Sequence, residues 1–185
     1  MSDDIYTSDS ERSPSFGRWA GELLLMVGLA FVFAMGIRTY VVMPYTIPTG
    51  SMIPTIEIGD RVLANKFIYR FQDPTSGDIV VFDDPTGTAD NLIKRVIAVG
   101  GQEVDVHDGR VYVDSVPVEE PYTHGAITEI GDVLLPLVIP EDHIWVMGDN
   151  RTNSTDSRFF GPQPMANVYG KAFLRVWPLS RIAPL

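Results

Sequence analysis

The chain has 185 residues, 45% of them hydrophobic, and a net charge of −10 from 14 Lys+Arg against 24 Asp+Glu. The length suits one domain with its own core, and the acidic balance argues against nucleic acid as a partner, because nucleic-acid binding needs a basic face. With no cysteine there are no disulfides, thiol nucleophiles or Cys-type zinc sites, and three widely spaced histidines (His107, His124, His143) give no metal or cofactor assignment.

The first 18 residues, rich in Ser and Asp and containing Pro14, read as a disordered polar tail. Trp19 to Val42 is a dense apolar block. Its uninterrupted core, Leu23 to Ile37, is about 15 residues, short of the roughly 20 that a bilayer-spanning helix needs. The flanks supply the difference if Glu22 and Arg38 sit at the two interfaces, with Trp19 and Tyr40 in the interfacial belts. Three readings compete. A buried core helix fits poorly, because the block is apolar on all sides. A cleavable signal peptide fits the length and the small-x-small triplet Ala34-Met35-Gly36, but the preceding charges are mixed rather than basic. A retained transmembrane anchor over residues 19–43 is the reading carried forward, with residues 44–185 as a β-rich domain.

Next comes Ile47-Pro48-Thr49-Gly50-Ser51-Met52-Ile53-Pro54-Thr55, a stiff loop that presents a serine between two prolines. Most serines in such loops are turn residues. Strand patterns follow at Gly59–Asn65, Gly77–Phe82, Leu92–Val99, Glu103–Val106, Arg110–Asp114, Val133–Ile139, His143–Met147 and Val168–Trp177, with Pro117, Pro121 and Pro140 as breaks. Pro136 weakens the run from Val133. Asp108-Gly109 between two alternating runs is a hairpin signal. No run after Val42 has helical period. The expected fold is mostly β: an antiparallel β-sandwich or open barrel after a single N-terminal transmembrane helix.

A catalytic serine needs a base. Each histidine reads as a surface or turn residue. Of the three lysines, Lys66, Lys94 and Lys171, only Lys94 lies inside an apolar strand, where alternation groups it with Leu92, Val96 and Ala98. Serving as a base near neutral pH requires a fall from about 10.4 to roughly 7–8, about 4 kcal/mol of differential solvation, which full burial supplies. Arg95 cannot deprotonate. The plainer alternative makes Lys94 a solvent-exposed residue of an edge strand. A third cluster, Gly148 to Arg158, carries only small, polar or charged side chains. It reads either as a solvated loop or as a buried network in which Asp149 and Asp156 pair with Arg151 and Arg158.

Together these stretches resemble the type I signal peptidase (leader peptidase) family of membrane-bound serine proteases. Ile47–Thr55 looks like the nucleophile box, Asn91–Gly101 the lysine box, Gly148–Arg158 the Gly-Asp-Asn-Arg box and Gly77–Phe82 a structural box, in the family's order. The resemblance covers about Leu23 to Trp177. It implies Ser51 as nucleophile and Lys94 as general base. It also implies an oxyanion hole from the Thr49 hydroxyl and the Ser51 N–H, with Met52 packed near the dyad. Ser154 would orient the Lys94 amine, Asp156 and Arg158 would form a supporting ion pair, and Asp149 and Arg151 would hold the loop. Lysine at position 94 matches the bacterial and organellar branch.

The implied substrates are preproteins with signal peptides, cut after small residues at −1 and −3. The implied setting is a single span in the lipid bilayer of the cell membrane, or of a thylakoid, with the catalytic domain on the extracytoplasmic side. Ser51 follows Val42 closely, which would place the nucleophile near the membrane surface. The short segment from Gly101 to His143 implies that the inserted second domain of some relatives is reduced to a hairpin and a loop. Two rivals remain: a Ser/Lys self-cleaving protease of the repressor type, and a non-catalytic membrane-anchored β-domain that binds peptides, in which Ser51 and Lys94 would lie apart.

Overall fold

The computed structural model describes residues 16–40 and 42–185; most of the expected polar tail lies outside these. The chain divides after Arg38 into two compact units, described separately.

The first holds all but the last two residues of α1 (Phe16–Tyr40), a helix 25 residues long. At ~1.5 Å rise per residue this reaches about 37 Å, more than the roughly 30 Å of bilayer hydrocarbon. Gly17–Gly36 has a mean hydropathy of 1.8, and none of it is buried. Apolar side chains stay exposed all round the helix, among them Leu24, Met26, Phe31 and Phe33. Its early charges, Arg18 and Glu22, pair with each other one turn apart at 3.4 Å, which lowers the cost of placing them beside an apolar stretch. Ala34-Met35-Gly36 lies within the continuous helix.

The second unit begins with β1 (Val42–Thr46). The last residues assigned to the anchor are therefore strand. Val42 is β-branched, and Pro44 would remove a hydrogen bond inside a helix, but it is tolerated at a sheet edge. Further strands are β2 (Arg61–Asn65), β3 (Ile79–Asp83), β4 (Asn91–Val99), β5 (Glu103–His107), β6 (Arg110–Val113), β7 (Val116–Pro117), β8 (Leu137–Val138) and β9 (His143–Met147). After the one-turn helix α2 (Ser157–Phe160) come β10 (Gln163–Pro164), β11 (Val168–Trp177) and β12 (Ala183–Pro184). A single turn is too short to show a helical period, so α2 leaves no mark on the sequence pattern.

The larger sheet is antiparallel and open, in the order β1-β2-β11-β3-β4-β9-β10 with β12 added to β11. The smaller sheet has the order β7-β6-β5-β8, so the region expected to be a hairpin and a loop is a four-stranded sheet. Its central turn, Asp108-Gly109, has φ of 51° and 74°, the two positive values that a type I′ turn needs. The strand expected over Val133–Ile139 contracts to Leu137–Val138 on β5, because Pro136 has no N–H for a ladder.

Strand β3 is apolar without alternation because both its faces are covered. Ile79 and Val81 pack with Ile47, Met52 and Ile56, under the Ser51 loop. Val80 and Phe82 pack with Val96, Ile144 and Val146. A third cluster, with Ile97, Ala98, Trp145 and Met147, is shared with Val104, Val106 and Val111 of the smaller sheet. Leu92 and Val96 share a cluster, but Ala98 leaves it, since the register shifts between Val96 and Ala98.

Candidate active site

The Ser51 loop is closed at its base by Ile47 N–H to Asp60 O (2.9 Å) and Gly59 N–H to Ile47 O (2.8 Å). Ile47, Met52 and Ile56 are buried beneath it, which fixes the loop from below by packing. Asp60 accepts from Glu57 N–H at 2.9 Å and from Arg181 Nη1 at 3.2 Å. Arg175 Nη1 donates to Thr55 O at 2.6 Å. The loop is thus anchored at several points while Ser51 sits at its turn.

Lys94 projects from β4 and is 2% exposed. Its Nζ is hydrogen-bonded to Ser51 Oγ at 2.8 Å. Burial pushes the amine down from 10.5 to about 8, against the opposing pull of the Asp156 and Asp84 carboxylates. At that value a substantial fraction is neutral near pH 8, so the amine can accept the serine proton. The reading of Lys94 as a solvent-exposed edge residue does not fit: β4 is interior to the sheet, between β3 and β9. A peptide-binding domain with Ser51 and Lys94 apart is also not what the geometry gives.

The charged residues of the 148–158 cluster are buried rather than solvated: Asp149, Arg151, Asp156 and Arg158, with Ser157, are each at most 2% exposed, while Thr152, Asn153 and Thr155 between them are exposed. Asp156 takes Arg158 Nε at 2.8 Å, Arg158 Nη2 at 2.9 Å and Gly148 N–H at 3.0 Å. It also caps α2 by accepting from Arg158 N–H. A buried carboxylate needs such partners, since an unpaired one costs several kcal/mol.

The remaining pairing differs from the expected one. Asp149 is held by Arg95 at 2.7 Å and by the Thr55 hydroxyl. Arg151 pairs with Glu120 and donates to Thr128 Oγ1 at 2.7 Å and to Gly148 O at 3.1 Å. Of the two close-in-sequence pairs expected in the cluster, Asp156–Arg158 forms and Asp149–Arg151 does not. Gly148 is forced by crowding: a Cβ there would meet Ser51 O at 2.5 Å and collide with Ser154.

Ser154 Oγ is buried and has no hydrogen-bond partner among the described residues, so its implied bond to Lys94 is not made; the amine is directed at Ser51 instead. Thr49 is exposed on the Ser51 turn, and no bond of its hydroxyl is found among the described residues. The histidines are elsewhere: His107 stacks on Tyr112 with centroids 3.9 Å apart, His124 follows a short helical turn and is exposed, and His143 Nδ1 contacts Glu141 O at 2.8 Å. Among the described residues no acidic or histidine cluster could hold a metal ion.

Several contributors lie outside the sequence reading. Glu120 and Thr128 hold Arg151. Tyr122 lies under the Arg95 guanidinium, 4.1 Å from its ring centre. Asn150 donates to Gly50 O at 3.0 Å through its side chain and to Ser51 O at 3.0 Å through its N–H. Only Asn150 had a local signal, its place in the polar cluster.

Comparisons of the sequence with known proteins agree on one family. The family model described as "Signal peptidase, peptidase S26" matches residues 20–177. The chain is 40% identical to "Probable signal peptidase I-2" of Synechocystis sp., over 97% of this chain and 83% of that one. It is also 40% identical to "Signal peptidase I" of Leptolyngbya laminosa, over 86% and 80%. Against "Probable thylakoidal processing peptidase 2, chloroplastic" of Arabidopsis thaliana it is 36% identical, over 80% and 41%. A crystal structure of a signal peptidase I from Enterococcus faecalis matches with a TM-score of 0.48 and 29% identity, over 54% of this chain and 97% of that one. The chain that places Lys94 against Ser51 belongs to the signal peptidase family, peptidase S26.

Proposed function

We propose that this protein is a signal peptidase I that removes N-terminal signal peptides from exported preproteins, cutting after small residues of the Ala-x-Ala type with Ser51 as nucleophile and Lys94 as base. The observation that carries the dyad is the 2.8 Å contact between Lys94 Nζ and Ser51 Oγ in a buried setting. Family membership supports the substrate class.

Neutral Lys94 takes the Ser51 proton as Oγ attacks the scissile carbonyl. The oxyanion is received by the Ser51 N–H and the Thr49 hydroxyl; one such donor is worth roughly 2.7–4 kcal/mol. Collapse of the adduct breaks the C–N bond, and the Lys94 ammonium gives its proton to the leaving amine of the mature protein. The signal peptide stays as an acyl ester on Ser51. Water then attacks it with Lys94 again as base, and Ser51 is regenerated.

Ser154 Oγ, buried beside Gly148 and not bonded to Lys94 at rest, is the hydroxyl that would take up the amine once Lys94 turns from Ser51 during these transfers. The Asp156–Arg158 pair, with Asp149 and Arg151 on their own partners, keeps the loop in place. The unpaired edge of β1, which carries Pro44 and Tyr45, offers an extended substrate a strand to lie along. Helix α1, over residues 19–40, anchors the chain in the bilayer by a single span, and the β-rich domain from Val42 onward acts on the extracytoplasmic side of the cell membrane or of a thylakoid. The exposed apolar surface of α1 supports the anchor, and the thylakoidal relatives support the second setting.

The test is cleavage of a preprotein with an Ala-x-Ala site by detergent-purified protein. Ser51→Ala and Lys94→Ala are expected to abolish it; full cleavage by either variant removes that residue from the mechanism.

A further inference from the structure

A peptide unit is planar and rigid, so the direction of one residue's carbonyl sets the direction of the next residue's N–H. The Gly50 carbonyl and the Ser51 N–H are opposite ends of one such plate. The carbonyl end is held: Asn150 Nδ2 donates to Gly50 O at 3.0 Å, and Ile53 N–H adds a weaker bond at 3.3 Å. The following plate is held by the same residue, since Asn150 N–H donates to Ser51 O at 3.0 Å. One side chain and one N–H of Asn150 therefore bracket the serine on both sides.

The other end of the first plate is free. The Ser51 N–H meets no acceptor among the described residues, although Ser51 is only 7% exposed. A backbone N–H with no acceptor in a residue so little exposed is a donor free to meet a ligand atom. The Asn150 amide is itself oriented: Oδ1 accepts from Thr152 Oγ1 at 3.4 Å, which leaves the NH₂ end for Gly50. Asn153 N–H donates to Asn150 O at 3.0 Å and fixes its backbone. A donor on a carbonyl also polarises the whole amide and strengthens the N–H at its far end.

We propose that Asn150 is a positioning residue for the cleavage reaction, setting through the Gly50 carbonyl the peptide plate whose N–H end at Ser51 receives the oxyanion. The proposal rests on the assignment of Ser51 as nucleophile and oxyanion donor. Among the described residues no hydrogen bond of Asn150 goes to Lys94; it acts through the Gly50–Ser51 peptide. Its contribution appears only when negative charge develops on the carbonyl oxygen, so it acts on the chemical step and not on substrate binding.

The experiment measures kcat and KM on a preprotein with an Ala-x-Ala site, using the full chain in detergent and the variants Asn150→Ser, Asn150→Ala and Asn150→Asp. Donor ability toward Gly50 O falls in that order, and the carboxylate of the last repels the carbonyl. The expected result is a graded loss of kcat, about 10-fold for Ala and about 100-fold for Asp, bounded by the 10²–10³ for removing an oxyanion donor outright. KM should stay within about twofold, and the rising limb of the pH profile should not move in the Ser and Ala variants, since Lys94 is untouched. Rates are taken per folded molecule from thermal melts, so an unstable Asp variant leaves the Ser and Ala pair decisive. A folded Ala variant with wild-type kcat, a loss confined to KM, or a displaced limb would overturn the proposal. Ser51→Ala and Lys94→Ala are run alongside. If they are dead while Asn150→Ala is normal, only the positioning role fails; if they cleave, the dyad itself fails.

Discussion

Arg95 and Asp149 grip each other through two parallel hydrogen bonds, Nε to Oδ1 at 2.8 Å and Nη2 to Oδ2 at 2.7 Å. The fork is out of water, with 11% of the arginine side chain and none of the aspartate exposed. It joins β4, the strand of Lys94, to the loop that contacts Ser51. Replacing Arg95 by methionine leaves a buried carboxylate with only the Thr55 hydroxyl and should cost about 3–5 kcal/mol of stability. Arg95→Met with Asp149→Leu should recover part of that loss, because no charge is then stranded. Thermal or denaturant unfolding of the three proteins checks both statements.

The pH dependence of kcat/KM should follow Lys94. Because the neutral amine is the base and its value is lowered to about 8, activity should rise with pH and level off above that value. A profile with no rise between pH 6 and 9, limits set around that value, would remove the lysine from the rate-limiting step.

Lys94 should also be a stability liability. The folded state releases its proton near pH 8 and the unfolded chain near 10.5. Below pH 8 both are protonated, and the folded form carries the full desolvation cost, on the order of 3 kcal/mol. Between the two values the unfolded state binds more protons, so stability rises with pH and the cost is recovered. Lys94→Met should therefore be inactive yet melt higher than wild type at pH 7, and the difference should shrink as the pH is raised from about 8 towards 10.5. An equal or lower melting point for the variant at pH 7 would contradict this.

Gly148→Ala tests the close approach of the two loops. The new methyl would meet Ser51 O at 2.5 Å, so one loop must move. Activity should fall by about 100-fold or more, as expected when reacting groups shift by an ångström. Gly87, with open space around its α-carbon but φ of 69°, is the control: its alanine variant carries backbone strain without touching the site, and should keep its activity. Cleavage assays on both variants make the comparison.

How much of this was legible in the sequence depends on the range of the interaction. The turn at Asp108-Gly109 is local chemistry and can be read directly. The uninterrupted apolar run of β3 shows that both its faces are covered. Lys94 stands out because a lone amine in such a strand must be either exposed or functional. Partners distant in sequence are not readable in this way. Glu120 looks like an ordinary acid in a Pro-rich stretch, and nothing nearby in sequence shows that it faces Arg151. The same limit explains why Asp149 looks like a partner for Arg151 and instead pairs with Arg95. The Asn150 bond to Gly50 spans a hundred positions and depends on loop shape, which residue types do not encode. The four-stranded second sheet is obscured for a related reason, since β7 and β8 are two residues each.

Glu120 belongs to the stretch that follows β7, yet its carboxylate is the counter-charge of Arg151, whose side chain is fully buried. Further along the same stretch, Glu129 O accepts from Arg158 at 3.2 Å and Val133 N–H donates to Arg158 O at 3.0 Å. The smaller sheet and its trailing segment are therefore not a cassette that can be exchanged between relatives. A chimera that imports this region from another enzyme must bring an acid to meet Arg151 and a backbone to meet Arg158; otherwise the graft strands a guanidinium in the interior, and the damage surfaces at a catalytic centre that the transplanted residues never touch.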